Sequence, residues 1–346
     1  MDKDYLSRYN ITLINGDGIG PDLASSAKTI LESINDNSKT KFTIDEISAG
    51  DNAISKFGKA LPDLAVAKIK KSDACLKGPV GESAADVIIV LRQMFDLYAN
   101  VRPSKSFPNI PTYYNDIDLV IIRENTEDLY LGWEFYADEK TVVALRLTSE
   151  RACRRIAEYA FKMCTLRNKK CKVVAVHKAN VLRKGDGLFA RTCKSVAEKY
   201  PNIEYSELYV DACAMNLIRN PGEFDVILTT NLFGDILSDE ASQVAGSLGM
   251  GSAANIGDDF GLFEPVHGAA FDIAGKNIAN PSSILLSTKM MLEWLAYKNN
   301  DKDALKQGNR IEDVILGLLK KNKKTKDIGG ELTTKEFTNL VKANLY

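Results

Sequence analysis

Residues 11–34 read ITLINGDGIGPDLASSAKTILESI, and this stretch combines a strand, a glycine-rich loop and a helix. Its first four residues predict a buried strand, and Pro21 suits the first turn of the following helix because its missing N–H needs no partner there. Gly16, Gly18 and Gly20 alternate strictly, whereas the dinucleotide-binding fingerprint of Rossmann folds requires G-x-G-x-x-G. The stretch therefore predicts an α/β protein without a Rossmann fingerprint. Its loop is either a tight turn or a segment whose backbone approaches a cofactor.

The rest of the chain repeats this alternation of short apolar runs and helical patterns, which predicts an α/β architecture throughout. With 346 residues the chain exceeds the usual limit of a single hydrophobic core, so we expect two domains. Further strands are predicted at 42–47, 74–77, 119–123, 141–146, 172–177, 203–210 and 226–229. Further helices are predicted at 149–165, 186–199, 282–299 and 311–320.

The composition argues against several classes of protein. The chain has 45 basic and 46 acidic residues, a balance that does not suit a general nucleic-acid or membrane-surface binder. The polar residues 1–10 lack the apolar stretch of a signal peptide, and no apolar run is long enough for a membrane span. Six cysteines without CxxC spacing and only two histidines favour reduced thiols over a zinc site. We therefore expect a cytoplasmic protein that binds neither nucleic acid nor membrane.

Two aspartates four residues apart are the strongest candidates for a metal site. Residues 231–246 read NLFGDILSDEASQVAG, and on a helix Asp235 and Asp239 share one face. Their mutual repulsion would be relieved by a hard cation such as Mg²⁺ or Mn²⁺, which prefers carboxylate oxygens. Asp211, after the strand at 203–210, is a possible third ligand. The alternative is a pair of solvated carboxylates near a helix start, where the helix dipole favours negative charge.

Other side chains suit proton transfer and anion binding. Tyr130 and Lys178 are of the types that burial or neighbouring charges can tune to exchange protons near neutral pH. Arg92, Arg102 and Arg123 suit a substrate with two or three carboxylates, because a guanidinium binds a carboxylate in a bidentate way. The alternatives are a surface lysine and arginines that form internal ion pairs.

Taken together, these segments resemble the β-decarboxylating dehydrogenase family, which contains isocitrate, 3-isopropylmalate, homoisocitrate and tartrate dehydrogenases. The resemblance covers nearly the whole chain, from the glycine loop to GGELTTKEF at 329–337. Between them, in order along the chain, lie KGPVG (77–81), LYANVRP (97–103), RENTEDLY (123–130), HKANV (177–181), NLFGDILSDEASQVAG (231–246) and FEPVHGAAFDIAGKNIANP (263–281). This order of specific motifs makes a chance match negligible.

The resemblance implies an isocitrate/isopropylmalate dehydrogenase-like fold of two α/β domains, which is not a Rossmann fold. Residues 1–98 together with 251–346 would form a larger domain that carries the cofactor. Residues 99–250 would form a smaller domain with most of a homodimer interface. The active sites would be shared between the two subunits of the dimer, and two dimers could form a tetramer.

The resemblance also implies roles for the candidate residues. Asp235 and Asp239 would bind the metal together with Asp211 of the second subunit. Lys178, also from the second subunit, would accept the proton of the substrate hydroxyl, which the metal makes more acidic. Tyr130 would protonate the enolate that remains after carbon dioxide leaves. Arg92, Arg102 and Arg123 would bind the carboxylates of a small 2-hydroxy di- or tricarboxylate.

NAD is the expected cofactor. In the family the segment after the His-Gly dipeptide binds adenosine, and in this chain it reads HGAAFDI at 267–273. A carboxylate at Asp272 suits the ribose hydroxyls of NAD and repels the 2′-phosphate of NADP, whose users carry a Lys-Tyr pair there. The resemblance implies cofactor contacts from Asn180, His267, Gly268, Ala269, Asp272, Ile273 and Asn280.

The helix before Arg92 bears on the choice of substrate. Isocitrate enzymes place a serine and an asparagine where this chain has Asp86 and Ile88, and homoisocitrate enzymes tend to add an arginine that is absent here. Ile88 and Ile89 instead match the apolar residues that receive an isopropyl group. We therefore expect 3-isopropylmalate to be converted to 4-methyl-2-oxopentanoate, a step of leucine biosynthesis. Because RENTEDLY is typical of isocitrate and homoisocitrate enzymes, isocitrate and homoisocitrate remain the alternative substrates. A third, less favoured alternative is a non-catalytic regulatory subunit.

Overall fold

A computed structural model describes residues 6–246 and 248–346, so half of the polar stretch 1–10 lies outside the described residues. Its main feature is a ten-stranded mixed sheet, accompanied by a separate two-stranded hairpin. The strands of the main sheet are β1 (Arg8–Ile14), β2 (Lys41–Ile47), β3 (Ala74–Lys77), β4 (Ala99–Lys105), β5 (Asp118–Glu124), β8 (Lys172–His177), β9 (Glu204–Tyr209), β10 (Val226–Thr229), β11 (Ser252–Ile256) and β12 (Gly261–Pro265). The hairpin consists of β6 (Glu134–Asp138) and β7 (Thr141–Ala144).

Most of the helices pack against strands of this sheet, as expected for an α/β protein. They are α1 (Gly20–Asn37), α2 (Asp51–Phe57), α3 (Asp63–Ile69), α4 (Ala84–Met94), α5 (Glu150–Arg167), α6 (Gly185–Ala197), α7 (Val210–Arg219), α8 (Asn231–Val244), α9 (Ser282–Asn299), α10 (Lys302–Lys320) and α11 (Thr334–Asn344). No helix in the described ranges is long and apolar enough to cross a membrane.

The strand order divides the sheet into two parallel groups with an antiparallel centre. The order is β2-β1-β3-β12-β11-β4-β5-β10-β8-β9. Strand β11 is antiparallel to both β12 and β4, and β4 is antiparallel to β5. The chain builds the first group, crosses the centre to build the second, and returns through β11 and β12. Such an order differs from a Rossmann sheet, whose strands are parallel.

Most predicted elements are confirmed, and two of them differ clearly from the prediction. The predicted strand 141–146 ends at residue 144 and belongs to the exposed hairpin, not to the main sheet. The predicted helix 311–320 begins at residue 302 instead, because Asp301 caps it by accepting from the amides of Asp303 and Ala304, both at 3.0 Å.

The glycine loop is both a tight turn and a close approach of two backbones. Gly16 and Gly18 have φ angles of 71° and 55°, in the left-handed region. A Cβ at Gly18 would lie 2.0 Å from the carbonyl oxygen of Ala269, and the amide of Ile19 donates to that oxygen at 2.8 Å. The loop thus packs against the segment predicted to bind the cofactor.

Candidate active site

Helix α8 presents Asp235 and Asp239 on one face at the end of β10. Neither side chain is fully buried, with 38% and 62% of their surfaces exposed. The charges that compensate this pair come from neighbouring strands, since β4 carries Arg102 and β5 carries Arg123. The sequence alone offered no cation on the helix face, and the fold supplies two from elsewhere.

Arg123 is buried in contact with the start of α8. Its Nε and Nη2 donate to the side-chain oxygen of Asn231 at 3.0 and 2.7 Å, and its Nη1 donates to Asp235. This approach requires a glycine at 234, because a Cβ there would lie 2.5 Å from Cγ of Arg123. Gly234 is therefore a packing requirement of the arginine site.

Arg102 binds both aspartates. Its Nη1 donates to Ser238 at 2.9 Å and to Asp239 at 3.2 Å, while its Nη2 lies 3.4 Å from Asp235. Burial disfavours the ionised form of Asp235, but Arg123 and Arg102 outweigh it and lower its pKa. Burial raises the pKa of Asp239, and the nearby charge of Asp235 adds to this shift against the opposing effect of Arg102. Asp239 is thus the carboxylate with the less compensated charge.

Tyr130, Arg92 and Ile89 line one small pocket, together with Gln93, Asn125 and Thr126. The Tyr130 hydroxyl donates to Asp235, and its ring lies 4.9 Å from the Arg123 guanidinium carbon. Burial lowers the pKa of Arg92 to about 9, and repulsion from Arg123 contributes to this shift. Ile88 packs against the apolar cluster beneath α4, whereas Ile89 lines the pocket.

Lys178 and Asp211 form a separate pair. Lys178 follows β8, Asp211 lies in the first turn of α7, and their Nζ and Oδ1 atoms are 2.7 Å apart. The hydrogen bond from Lys178 lowers the pKa of Asp211. Nowhere in residues 6–246 and 248–346 do three His, Cys, Asp or Glu side chains of the single chain gather into a metal site. Within one chain, Asp211 therefore does not complete a set of three ligands with Asp235 and Asp239.

The predicted cofactor residues lie in and beside the 267–273 segment, except for Asn180, which is exposed after β8. His267 Nε2 forms a hydrogen bond with Ser283 Oγ at 2.7 Å, and burial lowers the pKa of the His267 imidazole. Asn280 is buried and donates to Asp327 at 3.0 Å. The remaining residues vary in exposure: Gly268 and Asp272 are exposed, Ile273 is half-buried and Ala269 is buried.

Several residues that contact the site were missed in the sequence. Asn255 and Glu264 are buried in β11 and β12, and Lys77 pairs with Glu264 at 2.8 Å. Away from these side chains, Asp17 of the glycine loop accepts from the amides of Asp51 and Asn52 at the start of α2, and Asp51 accepts from the amide of Ser83 just before α4. No local pattern marks Asn255 and Glu264 in the sequence, because a polar residue in a buried strand is explained only by the partner that it meets in the folded chain.

Comparison with known proteins identifies the family. Residues 10–341 match the model of the isocitrate/isopropylmalate dehydrogenase family. The chain is 51% identical to 3-isopropylmalate dehydrogenase of Sulfurisphaera tokodaii, over 96% of this chain and 97% of the relative. It is 43% identical to homoisocitrate dehydrogenase of Methanocaldococcus jannaschii, over 94% of each.

A solved structure agrees with this assignment. Isocitrate dehydrogenase from Methylococcus capsulatus superimposes with a TM-score of 0.90 at 38% identity, over 97% of this chain and 99% of that one. The expected fold class is thereby confirmed, as is the expectation of an enzyme. The chain belongs to the isocitrate/isopropylmalate dehydrogenase family.

Proposed function

We propose that the chain oxidises 3-isopropylmalate with NAD and decarboxylates it to 4-methyl-2-oxopentanoate, a step of leucine biosynthesis. The observation that carries this proposal is the pocket in which Ile89 lies beside Arg92 and Tyr130. An apolar side chain next to a carboxylate-binding arginine and a proton donor suits a malate core with an alkyl substituent. The name of the Sulfurisphaera tokodaii relative supports the same substrate.

The polar groups of the pocket are largely engaged within the protein. Thr126 Oγ1 donates to Glu124 at 2.7 Å and accepts from Arg155 at 2.7 Å. Asn125 donates to the carbonyl of Leu97 at 2.9 Å. A γ-carboxylate would therefore be desolvated without a dedicated cation, whereas burying two methyl groups contributes roughly 1.5–2 kcal/mol.

The acidic face of α8 fits Mg²⁺ or Mn²⁺. Asp235 and Asp239 offer hard oxygen donors that are partly open to solvent, and the raised pKa of Asp239, caused first by burial and then by Asp235, reflects charge that a cation would compensate. Asp211 of a second subunit would be the third ligand. When bound, the metal would supply Lewis acidity toward the substrate hydroxyl and the carbonyl formed from it.

The chain's own residues would move the protons and hold the substrate. Arg92, Arg102 and Arg123 would orient the carboxylates of the substrate. Lys178 would accept the hydroxyl proton during oxidation. Tyr130 would deliver a proton to carbon after carbon dioxide leaves. Burial raises the pKa of its phenol, which is therefore protonated at neutral pH.

NAD would lie along the 267–273 segment and the glycine loop that packs against it. Asp272 is exposed and available to the ribose hydroxyls, and a Cβ added at Gly268 would have no atom within 4 Å. His267, Ala269, Ile273, Asn280 and Asn180 would complete the cofactor contacts. The carboxylate of Asp272 would also repel the 2′-phosphate of NADP.

We further propose a homodimer with shared active sites, and two such dimers would associate to give a tetramer. Exposed apolar side chains support an interface formed by the hairpin and helices α7 and α8: Phe135, Tyr136, Val142, Met215, Ile218 and Ile236.

The division into a larger domain (1–98 with 251–346) and a smaller domain (99–250) is proposed from the family resemblance. Its two boundaries fall beside the antiparallel centre of the sheet. Six free thiols support a cytoplasmic location.

Isocitrate or homoisocitrate is the second candidate substrate. Gln93, Asn125 and Thr126 give the pocket a polar wall, and Asn125 Oδ1 is buried without a hydrogen-bond partner in the described chain. A non-catalytic regulatory subunit is disfavoured, because Tyr130, Lys178 and the three aspartates are all present.

The test is a comparison of kcat/KM for 3-isopropylmalate, isocitrate, homoisocitrate and malate, with NAD and with NADP. We expect 3-isopropylmalate with NAD to be preferred, and activity to disappear with a chelator and return with Mg²⁺ or Mn²⁺. A preference for isocitrate or homoisocitrate would overturn the substrate assignment. The absence of activity on every acid would favour the regulatory subunit.

A further inference from the structure

Asn255 is fully buried in β11 and joins several elements of the site through one side chain. Its Oδ1 accepts from Arg92 Nε at 3.0 Å, from Asn100 Nδ2 at 2.8 Å and from Asn125 Nδ2 at 3.0 Å. These donors come from α4, from β4 and from the residue after β5. One amide oxygen thus fixes three segments relative to each other.

The orientation of the Asn255 amide is set by its other side. Its Nδ2 donates to Glu264 Oε1 at 2.8 Å, and Glu264 lies 2.8 Å from Lys77 Nζ. Burial opposes ionisation of Glu264, but Lys77 and Arg92 outweigh it and lower its pKa. A flipped amide would place oxygen against this carboxylate and nitrogen against three donors. The acceptor of Asn255 is therefore held toward Arg92.

The same network reaches a second arginine of the site. Asn100 donates to Asn255 and accepts from Arg102 Nε at 2.8 Å. With their Nε groups engaged, Arg92 and Arg102 are each restricted to one orientation of the guanidinium plane. Arg92 Nη2 lies 4.0 Å from Glu264, beyond a hydrogen bond, and the residue lines the pocket. Such pre-organisation lowers the entropy lost when a ligand binds.

We propose that Asn255 is a positioning residue that sets the relative orientation of Arg92 and Arg102 for binding a substrate with two carboxylates. This inference rests on the proposed function in that these arginines bind substrate. Asn255 does not touch the reacting atoms in this scheme. Its loss should therefore raise KM for the hydroxy acid more than it lowers kcat, and KM for NAD should change little.

The first test replaces Asn255 by leucine, which has a similar volume and no polar atoms. With the full-length chain, metal and NAD, we expect Asn255→Leu to raise KM for the hydroxy acid by about 10- to 100-fold, as for a lost hydrogen bond to a charged group. The substrate is whichever 2-hydroxy acid the wild type prefers. Equal losses in the KM for both ligands and in kcat would overturn the proposal.

The control is Asn35→Leu, which removes two hydrogen bonds between α1 and the backbone of Phe42 at 2.6 and 2.8 Å. It should lower the melting temperature without changing KM for the hydroxy acid. If Asn35→Leu raised KM for the hydroxy acid as much as Asn255→Leu does, a general loss of stability would explain both increases. That result would contradict a positioning role.

A double-mutant cycle separates positioning from packing. In an Arg92→Gln background, Asn255→Leu should raise KM for the hydroxy acid by less than it does in the wild type. The reason is that part of the effect of Asn255 depends on the orientation of Arg92. Fully additive increases would overturn the inference. If the wild type turns over none of the acids, the proposed function and this inference fall together, whereas additivity in an active enzyme removes the inference alone.

A second variant covers the case in which Asn255→Leu does not fold. Asn255→Asp combined with Glu264→Gln exchanges acceptor and donor across their hydrogen bond and keeps the total charge. An acceptor toward Arg92 is retained, so KM for the hydroxy acid should stay below that of Arg92→Gln. A KM equal to that of Arg92→Gln would contradict the proposed role.

Discussion

Lys178 Nζ lies 2.7 Å from Asp211 Oδ1, an ion pair that joins the end of β8 to the first turn of α7. The hydrogen bond from Lys178 lowers the pKa of Asp211, so this carboxylate is ionised at neutral pH. The pair therefore places the Lys178 nitrogen and an anionic metal ligand side by side as one unit. In the proposed dimer, this unit would serve the site of the neighbouring subunit.

Replacement of Lys178 should slow hydride transfer strongly. We expect Lys178→Met to slow single-turnover NADH formation by about 10²- to 10⁴-fold, the usual contribution of a general base. Stopped-flow absorbance of NADH measures this step. The matched control is Lys172→Met, because Lys172 is 24% exposed against 25% for Lys178 and also pairs with a carboxylate, Glu204, at 3.2 Å. Equal rates in the two variants would contradict the assigned role.

Replacement of Tyr130 should affect the later steps of the reaction. Burial raises the pKa of Tyr130, with Asp235 adding to the shift and Arg123 opposing it, so the phenol holds its proton for delivery to carbon. In Tyr130→Phe, release of carbon dioxide and product should slow by about 100-fold, and NADH formation by less than about 10-fold.

Rapid-quench detection of the intermediate 3-keto acid tests this separation. Tyr98→Phe is the control, since the half-buried Tyr98 donates to Asp258 at 3.2 Å and lines no part of the pocket. Oxidation and decarboxylation slowed to the same degree in Tyr130→Phe would argue for a positioning effect instead.

Truncation of Ile89 should weaken selection of the alkyl substituent. Ile89→Ala removes apolar surface from the pocket, so we expect kcat/KM for 3-isopropylmalate to fall about 10-fold while that for malate is nearly unchanged. Val90→Ala is the control, because the neighbouring Val90 is exposed on the same helix. A parallel loss for both substrates would show that Ile89 does not contact the substituent.

The sequence predicted the parts of the fold that have a clear periodicity. The strand 172–177 and the helix 282–299 were assigned with their observed bounds. Strands β11 and β12 were missed, because Asn255 and Glu264 interrupt their apolar runs and find their partners only in the folded chain. Polar residues that are satisfied over long sequence separations cannot be distinguished from loop residues by local pattern.

The candidate site was predictable to a similar extent. The spacing of Asp235 and Asp239 placed them on one helix face, as observed. Their compensation by Arg102 was not predictable, because the arginine lies more than a hundred residues earlier and reaches α8 through the sheet. The other site residues were proposed from the family resemblance. The motifs of a family identify residues that lie close together in the fold, which their spacing in the sequence does not.

Asp51 should stabilise the protein in a pH-dependent manner. It accepts from the amide of Ser83 at 2.9 Å, from its hydroxyl at 2.6 Å and from the amide of Glu82 at 3.0 Å, just before α4. These bonds, foremost the Ser83 hydroxyl, lower the pKa of Asp51 below its usual 3.8. Asp51→Ala should cost about 1 kcal/mol of unfolding free energy at pH 7, as for a lost helix cap.

The sign of the pH effect follows from the lowered pKa. The contribution of Asp51 is fully present above the unfolded value of 3.8 and is lost as the pH falls through the lower folded value. Urea denaturation of wild type and Asp51→Ala should therefore give a constant difference from pH 7 to about pH 5 and a shrinking one below pH 4. A difference that grows on acidification would exclude this role.

Subunit complementation tests whether the active sites are shared. Lys178→Ala and Asp235→Asn should each be inactive as homodimers. In a mixed dimer, one site would combine the intact Asp235 of the first variant with the intact Lys178 of the second, while the other site would carry both changes. Random mixing should therefore restore about a quarter of the wild-type activity, because half of the dimers are mixed and half of their sites are intact.

Refolding the two variants together, followed by steady-state assays, measures the recovered activity. Each variant refolded alone is the control and should stay inactive. If Lys178 instead served the Asp235 of its own chain, every site in the mixture would lack one of the two groups, and no activity would return. Recovery would therefore place the ion pair of Lys178 and Asp211 in the neighbouring active site, where the described residues of a single chain supply no third metal ligand.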